Sequence, residues 1–162
     1  PVQADRTVGA ASTIRLPLRQ LIGAKEPIYL THAQSTYTLF VPISARYGIR
    51  SCKLHLAFTN SIALLSERST LRVVLNDRVI AQYYLTRNQP DHTVDIEIPV
   101  ELLPPGSAQL QFVVAQHYTL ECEDPAAPEL WTQVFPDESY MEAVVTWNKI
   151  YPKPALLKDF ID

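Results

Sequence analysis

The stretch STLRVVLNDRVIAQYYL, residues 69–85, decides the fold class, because it consists of two alternating apolar runs around a tight turn. Alternation at every second position is the pattern of a β-strand with one buried face. The apolar positions are Leu71, Val73 and Leu75 in the first run, and Val79, Ala81, Tyr83 and Leu85 in the second. Asn76 and Asp77 lie between the runs and tolerate the positive φ of a two-residue hairpin turn. The stretch therefore predicts a β-hairpin whose apolar face needs a second layer to cover it.

Further alternating or apolar runs lie on both sides of this hairpin. They occupy residues 13–18, 28–30, 37–43, 51–60, 93–99, 108–116 and 139–147. A loop is predicted where acidic residues and prolines collect, at residues 121–129. No segment has the apolar period of a long helix. Short strands at near-regular spacing, with turns between them, predict an all-β fold, an antiparallel β-sandwich of the jelly-roll type.

The composition fits a single globular domain, with 162 residues, 47% hydrophobic and 19% charged. A net charge of -3 leaves no basic footprint, so nucleic acid is not expected as a partner. No apolar run has the length of a transmembrane helix. We predict a flexible lead-in at residues 1–12, the sandwich domain at residues 13–148, and a linker towards a following, absent domain at residues 149–162.

The sequence contains no metal-binding or cofactor-binding motif, and we predict neither a metal site nor a cofactor. The four histidines lack zinc-ligand spacing, and there is no G-x-S-x-G elbow or glycine-rich phosphate loop. Paired carboxylates could in principle hydrolyse sugars. The candidates, most of them in loops or on outward positions, are Glu97, Glu121, Glu123, Asp124 and Asp137. No catalytic residue is assigned, and a small β-sandwich glycoside hydrolase or lyase is kept as an alternative function.

Two arginines form one weak phosphate-binding pattern. Arg15 and Arg19 match R-x-x-x-R, which is half of the cyclic-di-GMP signature of PilZ domains. The other half, D/N-x-S-x-x-G, is nearly present from Asp137 through Ser139, but Glu142 replaces its glycine. Two arginines four residues apart often arise by chance, and here the alternation places them on the polar face of a strand. A cyclic-di-GMP-binding regulatory module is therefore a second, weaker alternative.

Aromatic side chains are the best candidates for binding a sugar, because a sugar ring stacks its C–H face on a flat aromatic ring. Tyr84 is predicted to be exposed, since Tyr83 takes the inward face of its strand. Trp131 follows an irregular loop, where functional aromatic residues are often placed. Together with Tyr118, these residues are the predicted carbohydrate-binding candidates.

The two cysteines, Cys52 and Cys122, form a possible disulfide. Cys52 shares the inward face of its strand with Leu54 and Leu56. A bridge would close a loop of roughly 70 residues and add about 4 kcal/mol in the chain-entropy model. Two buried thiols are the alternative, since composition alone does not establish an oxidising compartment.

A series of short segments, taken in order, is more specific than any one motif. The segments are KLHLAF at 53–58, NSIALL at 60–65, STLRVVLND at 69–77, LLPPG at 102–106, LQF at 110–112, HY at 117–118, CEDP at 122–125 and LW at 130–131. Their order and spacing resemble the first carbohydrate-binding domain of the bacterial cellulose synthase periplasmic subunit BcsB. The resemblance covers residues 37–147.

This resemblance implies a non-catalytic jelly-roll domain that guides or binds nascent β-1,4-glucan. It implies two kinds of protein partner: the catalytic synthase subunit, which cyclic di-GMP activates, and other domains or copies of the same subunit. It also implies a periplasmic location, with attachment to the inner membrane only through parts of the full-length protein that are not present here. Cys52 is not recognised as part of the family pattern, but an oxidising periplasm favours its bridge to Cys122.

Overall fold

Two antiparallel sheets make up the part of the chain that the computed structural model describes, residues 11–147. Their strands are β1 (Ala11–Pro17), β2 (Ile28–Thr31), β3 (Gln34–Ile43), β4 (Tyr47–Asn60), β5 (Thr70–Leu75), β6 (Arg78–Tyr84), β7 (Asp91–Glu97), β8 (Gly106–Ala115), β9 (Trp131–Val134) and β10 (Tyr140–Trp147). A short helix, α1 (Leu18–Ile22), follows β1, and a 3-10 turn (Val100–Leu102) precedes β8. The predicted jelly-roll-like antiparallel β-sandwich is confirmed.

The six-stranded sheet has the order β1-β10-β4-β9-β2, and β7 pairs with β4 off this path. The four-stranded sheet has the order β3-β8-β5-β6. β4 is the longest strand, with 14 residues, and pairs with three others. It holds β10 along residues 47–55, β7 along residues 53–59 and β9 along residues 58–60. The six-stranded sheet is therefore organised around β4.

The predicted hairpin is formed by β5 and β6, and its turn has the expected backbone. Asn76 and Asp77 have φ values of 48° and 67°, the left-handed pair that a two-residue turn of this hand requires. The Asn76 amide also fixes the turn from the side, because its Nδ2 donates to the Leu102 carbonyl at 2.7 Å. Its Oδ1 accepts from the Gln109 N–H at 2.8 Å.

One residue of the hairpin faces the opposite way from the sequence prediction. The pairing shifts between Val73 and Val74, so that Val74 lies opposite Val79 while Val73 lies opposite Ala81. The extra residue, Ile80, packs against the core in place of Val79, which is 56% exposed. A bulge of one residue reverses the alternation locally, which is why the inward prediction for Val79 is wrong.

The core lies between the inner faces of the two sheets. Its largest fully buried side chains are Phe58 of β4 and Phe112 of β8, each at most 1% exposed. The Phe58 ring contacts Tyr83 of the opposite sheet at a centroid distance of 5.9 Å. Burying one such phenylalanine contributes about 1.5–3 kcal/mol. The contact joins the predicted hairpin to the predicted strand at residues 51–60, as the apolar faces of both require.

Several boundaries differ from the sequence prediction. β1 begins at Ala11, inside the predicted lead-in, and Leu18 belongs to α1. β9 is not anticipated at all. The rest of the predicted lead-in, at residues 1–10, lies outside the described residues, and so does the whole predicted linker, at residues 149–162. Within residues 11–147, no helix has the length and hydropathy needed to cross a membrane.

The predicted Cys52–Cys122 bridge is not formed, because the structure holds both cysteines as free thiols. Cys52 is buried beside Ala143, eight positions before the Asn60 end of β4, which is roughly 26 Å along a strand. Cys122 is exposed in the loop that leads to β9, and β9 pairs with that distant end of β4. Bridged cysteines need Cα atoms within about 7 Å of each other, so the fold keeps these two apart.

We expect one fast-reacting thiol per native chain with an aromatic disulfide reagent at pH 8, namely Cys122. Cys52 should stay silent, because burial raises the pKa of its thiol to about 12, with a further contribution from Glu97. Adding denaturant without reductant should release the second thiol. A denatured chain in which neither thiol reacts would contradict this assignment and restore the bridge.

Candidate functional site

An open concavity of about 410 Å³ lies at the β2–β9 edge of the six-stranded sheet. This volume falls within the range of about 300–1,000 Å³ that small-molecule sites occupy. Its lining residues come from β2, from the β2–β3 connection, from the loop before β9 and from the start of β9: Tyr29, Thr31, His32, Ala126, Ala127, Pro128, Leu130 and Trp131. The concavity therefore contains Trp131, one of the three aromatic residues predicted from the sequence.

Trp131 and Tyr29 reach the concavity because of the register between β9 and β2. Trp131 pairs with Thr31, and Tyr29 pairs with Gln133, two positions further along β9. Trp131 and Tyr29 are thus diagonal neighbours on the outer face of one antiparallel pair, about 7–8 Å apart. Tyr29 is 60% exposed, whereas Trp131 is half-buried. Two aromatic side chains on one outward face can offer stacking surface to successive rings of a ligand.

A buried amide fixes the chain beside this aromatic pair. Gln116 is fully buried, and its Nε2 donates to the carbonyl groups of Leu30 at 3.2 Å and His32 at 2.9 Å. Its Oε1 accepts from the Thr132 hydroxyl at 2.7 Å. His32 has a φ of 76°, a left-handed value that is costly for a residue with a side chain. The Gln116 bonds hold the backbone at the end of β2 and the Thr132 side chain of β9, next to the residues that line the concavity.

The loop at residues 116–130 forms the other wall and is organised around Glu123. The carboxylate of Glu123 accepts from His117 Nδ1 at 2.9 Å and from the Tyr118 N–H at 2.8 Å. Because a carboxylate only accepts, the hydrogen must be on Nδ1 of His117. Burial by itself raises the pKa of Glu123, but these hydrogen bonds outweigh it, and the net pKa is lowered. The loop is thereby fastened by an ionised side chain.

The structure does not bring the other two predicted aromatic residues to the concavity. Tyr118 is half-buried, and its hydroxyl accepts from the Asp124 N–H at 3.2 Å, so its hydrogen bonds stay within the loop. Tyr84 is 55% exposed, as predicted from the inward position of its neighbour Tyr83, but it lies on β6, an edge strand of the other sheet. Of the three candidates, only Trp131 lines the concavity.

Tyr29 is the aromatic residue that the sequence prediction missed. Ile28 and Leu30 on either side of it are buried, with exposures of 7% and 1%. Strand geometry would place Tyr29 on the outer face, but residues 28–30 are all apolar, so the sequence pattern does not mark it. The four-residue length of β2 made the signal weak, and nothing in the sequence indicated that β2 would pair with β9.

The two arginines of the phosphate-binding pattern do lie beside residues from the second half of the signature, but they form ion pairs with them. Arg15 Nη2 lies 2.9 Å from the Glu142 carboxylate, and its guanidinium group lies 4.0 Å from the centre of the Tyr140 ring. Arg19 Nη1 lies 2.8 Å from Asp137. Bonding to Arg15 lowers the pKa of Glu142. Both guanidinium groups thus face carboxylates, and Glu142 stands where the phosphate-binding signature requires glycine.

The carboxylates that were candidates for catalysis are dispersed. Glu123 is bonded within its loop, Asp137 to Arg19, and Glu97 lies opposite Lys53 in the pairing of β7 with β4. None of the residues that line the concavity is acidic. Within residues 11–147, no three side chains of the His, Cys, Asp or Glu type come close enough together to hold a metal ion.

Comparison with known proteins gives consistent results. The family model described as "Cellulose synthase BcsB, first CBM domain" matches residues 11–146. A cyclic di-GMP-binding protein of Pseudomonas fluorescens (strain SBW25) is 29% identical over 164 residues, which cover 97% of this chain and 20% of that protein. A protein of the same name from Escherichia coli (strain K12) is 32% identical over 100 residues, covering 56% of this chain and 13% of that one. The chain thus spans about a fifth or less of the length of these relatives.

Among solved structures, a family 35 carbohydrate-binding module from an environmental isolate is similar at a TM-score of 0.39 and 19% identity. The similarity covers 78% of this chain and 74% of the module.

Proposed function

We propose that this chain, which belongs to the family of first carbohydrate-binding domains of the cellulose synthase subunit BcsB, binds β-1,4-glucan at the concavity between β2 and β9. The observation that carries the proposal is the diagonal pair of Tyr29 and Trp131 on one outward face. A β-1,4-glucan is neutral and presents flat C–H faces, which suit aromatic rings in a cavity without charged groups.

The lining and the open shape of the concavity favour guiding a polymer over tight binding of a small ligand. The lining includes two aromatic residues, a threonine and a histidine, and the rest is small or apolar. The site lies at the edge of a sheet and opens to solvent, so a chain longer than the cavity can extend beyond it. We therefore infer a non-catalytic role for the domain, in which the growing glucan is received and directed.

The partners and the location follow from the family and are part of the proposal. We propose a periplasmic position, next to the catalytic cellulose synthase subunit and to other domains or copies of the same subunit. Attachment to the inner membrane would be a property of the full-length protein. Nucleic acid is not a proposed partner, given the net charge of -3.

The alternatives have weaker support. Hydrolysis of a glycosidic bond needs two carboxylates on either side of the bond, and the concavity is lined by none. The relatives are named for binding cyclic di-GMP, but in this domain Arg15 and Arg19 are each paired with a carboxylate. Glu142 and Asp137 would repel the phosphates of a dinucleotide from both guanidinium groups.

The test is the affinity for cellotetraose, measured by titration calorimetry with the 162-residue chain. Trp131→Ala is expected to weaken binding at least tenfold, which corresponds to about 1.4 kcal/mol, because it removes one stacking surface. Trp131→Phe keeps an aromatic ring and should recover most of the affinity. Tyr29→Ala, at a 60% exposed position, should weaken binding without unfolding the chain.

Ile62→Ala is the matched control, since Ile62 is 64% exposed and does not line the concavity. It should bind like the unmodified chain. Unchanged affinity in folded Trp131→Ala and Tyr29→Ala would show that the concavity is not the glucan site. Release of reducing sugar from the glucan would instead support the hydrolase alternative.

A further inference from the structure

The outer face of the four-stranded sheet differs in charge from the outer face of the six-stranded sheet. On the six-stranded sheet, the outward positions of β1, β10, β4 and β7 carry charged or titratable groups: Arg15, Glu142, Lys53, His55, Asp95 and Glu97. On the four-stranded sheet, the outward positions include three valines, Val74, Val79 and Val113. The polar outward positions form a surface that we call the Gln/Thr face, defined by Thr36, Thr38, Gln109, Gln111, Gln82 and Arg72. Arg72 is its only charged member.

The register aligns these side chains in rows across the strands. Thr38 of β3 pairs with Gln111 of β8, and Gln111 Nε2 donates to the Thr38 hydroxyl at 3.2 Å. Arg72 of β5 pairs with Gln82 of β6, and its Nε donates to Gln82 Oε1 at 2.9 Å. The single positive charge is thus held flat against a neighbouring amide. The face presents amide and hydroxyl groups beside the side chains of Val113 and Val74, which lie in the same two rows. The amides and hydroxyls can both donate and accept hydrogen bonds.

Two exposed aromatic residues lie at opposite corners of this face. Phe40, on β3, is 60% exposed and pairs with Gln109. Tyr84, on β6, is 55% exposed and pairs with Thr70. Three strand spacings and six residues along the strands separate the two corners, about 25 Å on the diagonal. An extended ligand that lies across the face can stack on both rings.

We propose that the Gln/Thr face is a second binding surface, and that its occupant is an extended stretch of neutral, hydroxyl-rich polysaccharide. Charge complementarity selects this occupant. A neutral polymer offers no counter-charge, so a charged surface would lose hydration without compensation, whereas amides and hydroxyls exchange water for sugar hydroxyls at little cost. The proposal rests on the proposed function in taking β-glucan as the polysaccharide, but it concerns the opposite sheet from the concavity.

The test introduces a charge of either sign at the centre of the face. Gln111→Glu and Gln111→Lys should each weaken binding to long soluble hydroxyethyl cellulose about fivefold, since one hydrogen bond is worth about 1 kcal/mol. Binding is measured as retardation in native gels with and without the polymer. Gln20→Glu and Gln20→Lys are the matched controls, because Gln20 is exposed on α1 and belongs to no strand of either sheet. Cellotetraose affinity, which reports on the concavity, should be unchanged in all four variants.

The outcomes separate this proposal from the first. Polymer binding at the unmodified level in both Gln111 variants overturns the second surface and leaves the concavity standing. If Trp131→Ala leaves cellotetraose binding intact while both Gln111 variants weaken polymer binding, the concavity fails and the Gln/Thr face stands. A response to only one sign of charge indicates a charged occupant and overturns the proposal. If sedimentation shows a dimer that both Gln111 variants dissociate, the face binds a second copy of the chain instead.

Discussion

Replacing Gln116 by leucine is expected to lower the free energy of unfolding by about 3 kcal/mol, the largest effect that we predict for a single polar side chain here. The substitution keeps the volume but removes the donor to the Leu30 and His32 carbonyls and the acceptor of the Thr132 hydroxyl. Each buried polar group left without a partner costs about 1–3 kcal/mol. Urea denaturation followed by tryptophan fluorescence measures the loss, and the melting temperature should fall by roughly 10 °C.

The stability that Gln116 contributes should depend on Thr132, and a double-mutant cycle can measure this coupling. Thr132→Val removes only the hydroxyl that donates to Gln116 and should cost about 1–2 kcal/mol alone. In the Gln116→Leu background the same change should cost clearly less, because the hydroxyl has already lost its acceptor. Additive losses would show that the two side chains do not act as one buried network.

Gln116→Leu should also weaken glucan binding, because Gln116 fixes the backbone that carries the concavity. His32 keeps a positive φ only while its surroundings hold it there, and its carbonyl is one of the two that Gln116 binds. Without that bond the β2–β3 connection can relax, and the register that sets Tyr29 beside Trp131 is no longer fixed from within. Stability and binding are thus linked through one buried amide.

The sequence predicts most of the fold because the apolar alternation of its long strands is regular. β4, β5 and β8 follow this rule, and the left-handed turn at Asn76 and Asp77 follows from local chemistry. Val79 breaks the rule because the bulge depends on how β5 and β6 pair, which alternation within one strand does not specify. β9 is missed because four residues between proline-containing segments are too short to show a period.

The site is harder to predict because its residues come from separate parts of the chain. Trp131 could be proposed as an exposed aromatic residue, but its neighbour Tyr29 lies about a hundred residues earlier, and only the β2–β9 pairing joins them. Tyr118 is also aromatic and lies in the loop at residues 116–130, yet Glu123 accepts a hydrogen bond from its N–H and ties it into that loop. Nothing in the sequence marks Gln116 as buried, because glutamine side chains are mostly exposed.

Replacing Glu123 by glutamine is expected to lower the free energy of unfolding by about 2 kcal/mol at pH 7, within the range for hydrogen bonds to charged groups. Glutamine can still accept one hydrogen bond, but it lacks the charge that strengthens the bonds from His117 and Tyr118. The loop at residues 116–130 also walls the concavity, so cellotetraose binding should weaken in parallel. Glu121→Gln is the control, since Glu121 is exposed in the same loop and should leave stability unchanged.

The effect of Glu123→Gln should depend on pH in one direction. The folded-state pKa of Glu123 is lowered from its ordinary value of 4.5, because the His117 and Tyr118 bonds outweigh the opposing effect of burial. A lowered pKa contributes stability that is fully present above the unfolded-state pKa and is lost as the pH falls through the folded-state pKa. The difference in unfolding free energy between the unmodified chain and the variant should therefore shrink as the pH falls below 4.5.

Equilibrium denaturation at a series of pH values between about 3.5 and 8 measures this difference directly. Glu121→Gln, taken through the same series, corrects for the removal of one negative charge from the loop. A difference that grows as the pH falls below 4.5 would mean that the pKa of Glu123 is raised, so that burial outweighs the hydrogen bonds. In that case the protonated carboxyl would fasten the loop, and the concavity wall would be firmer in acid than at neutral pH.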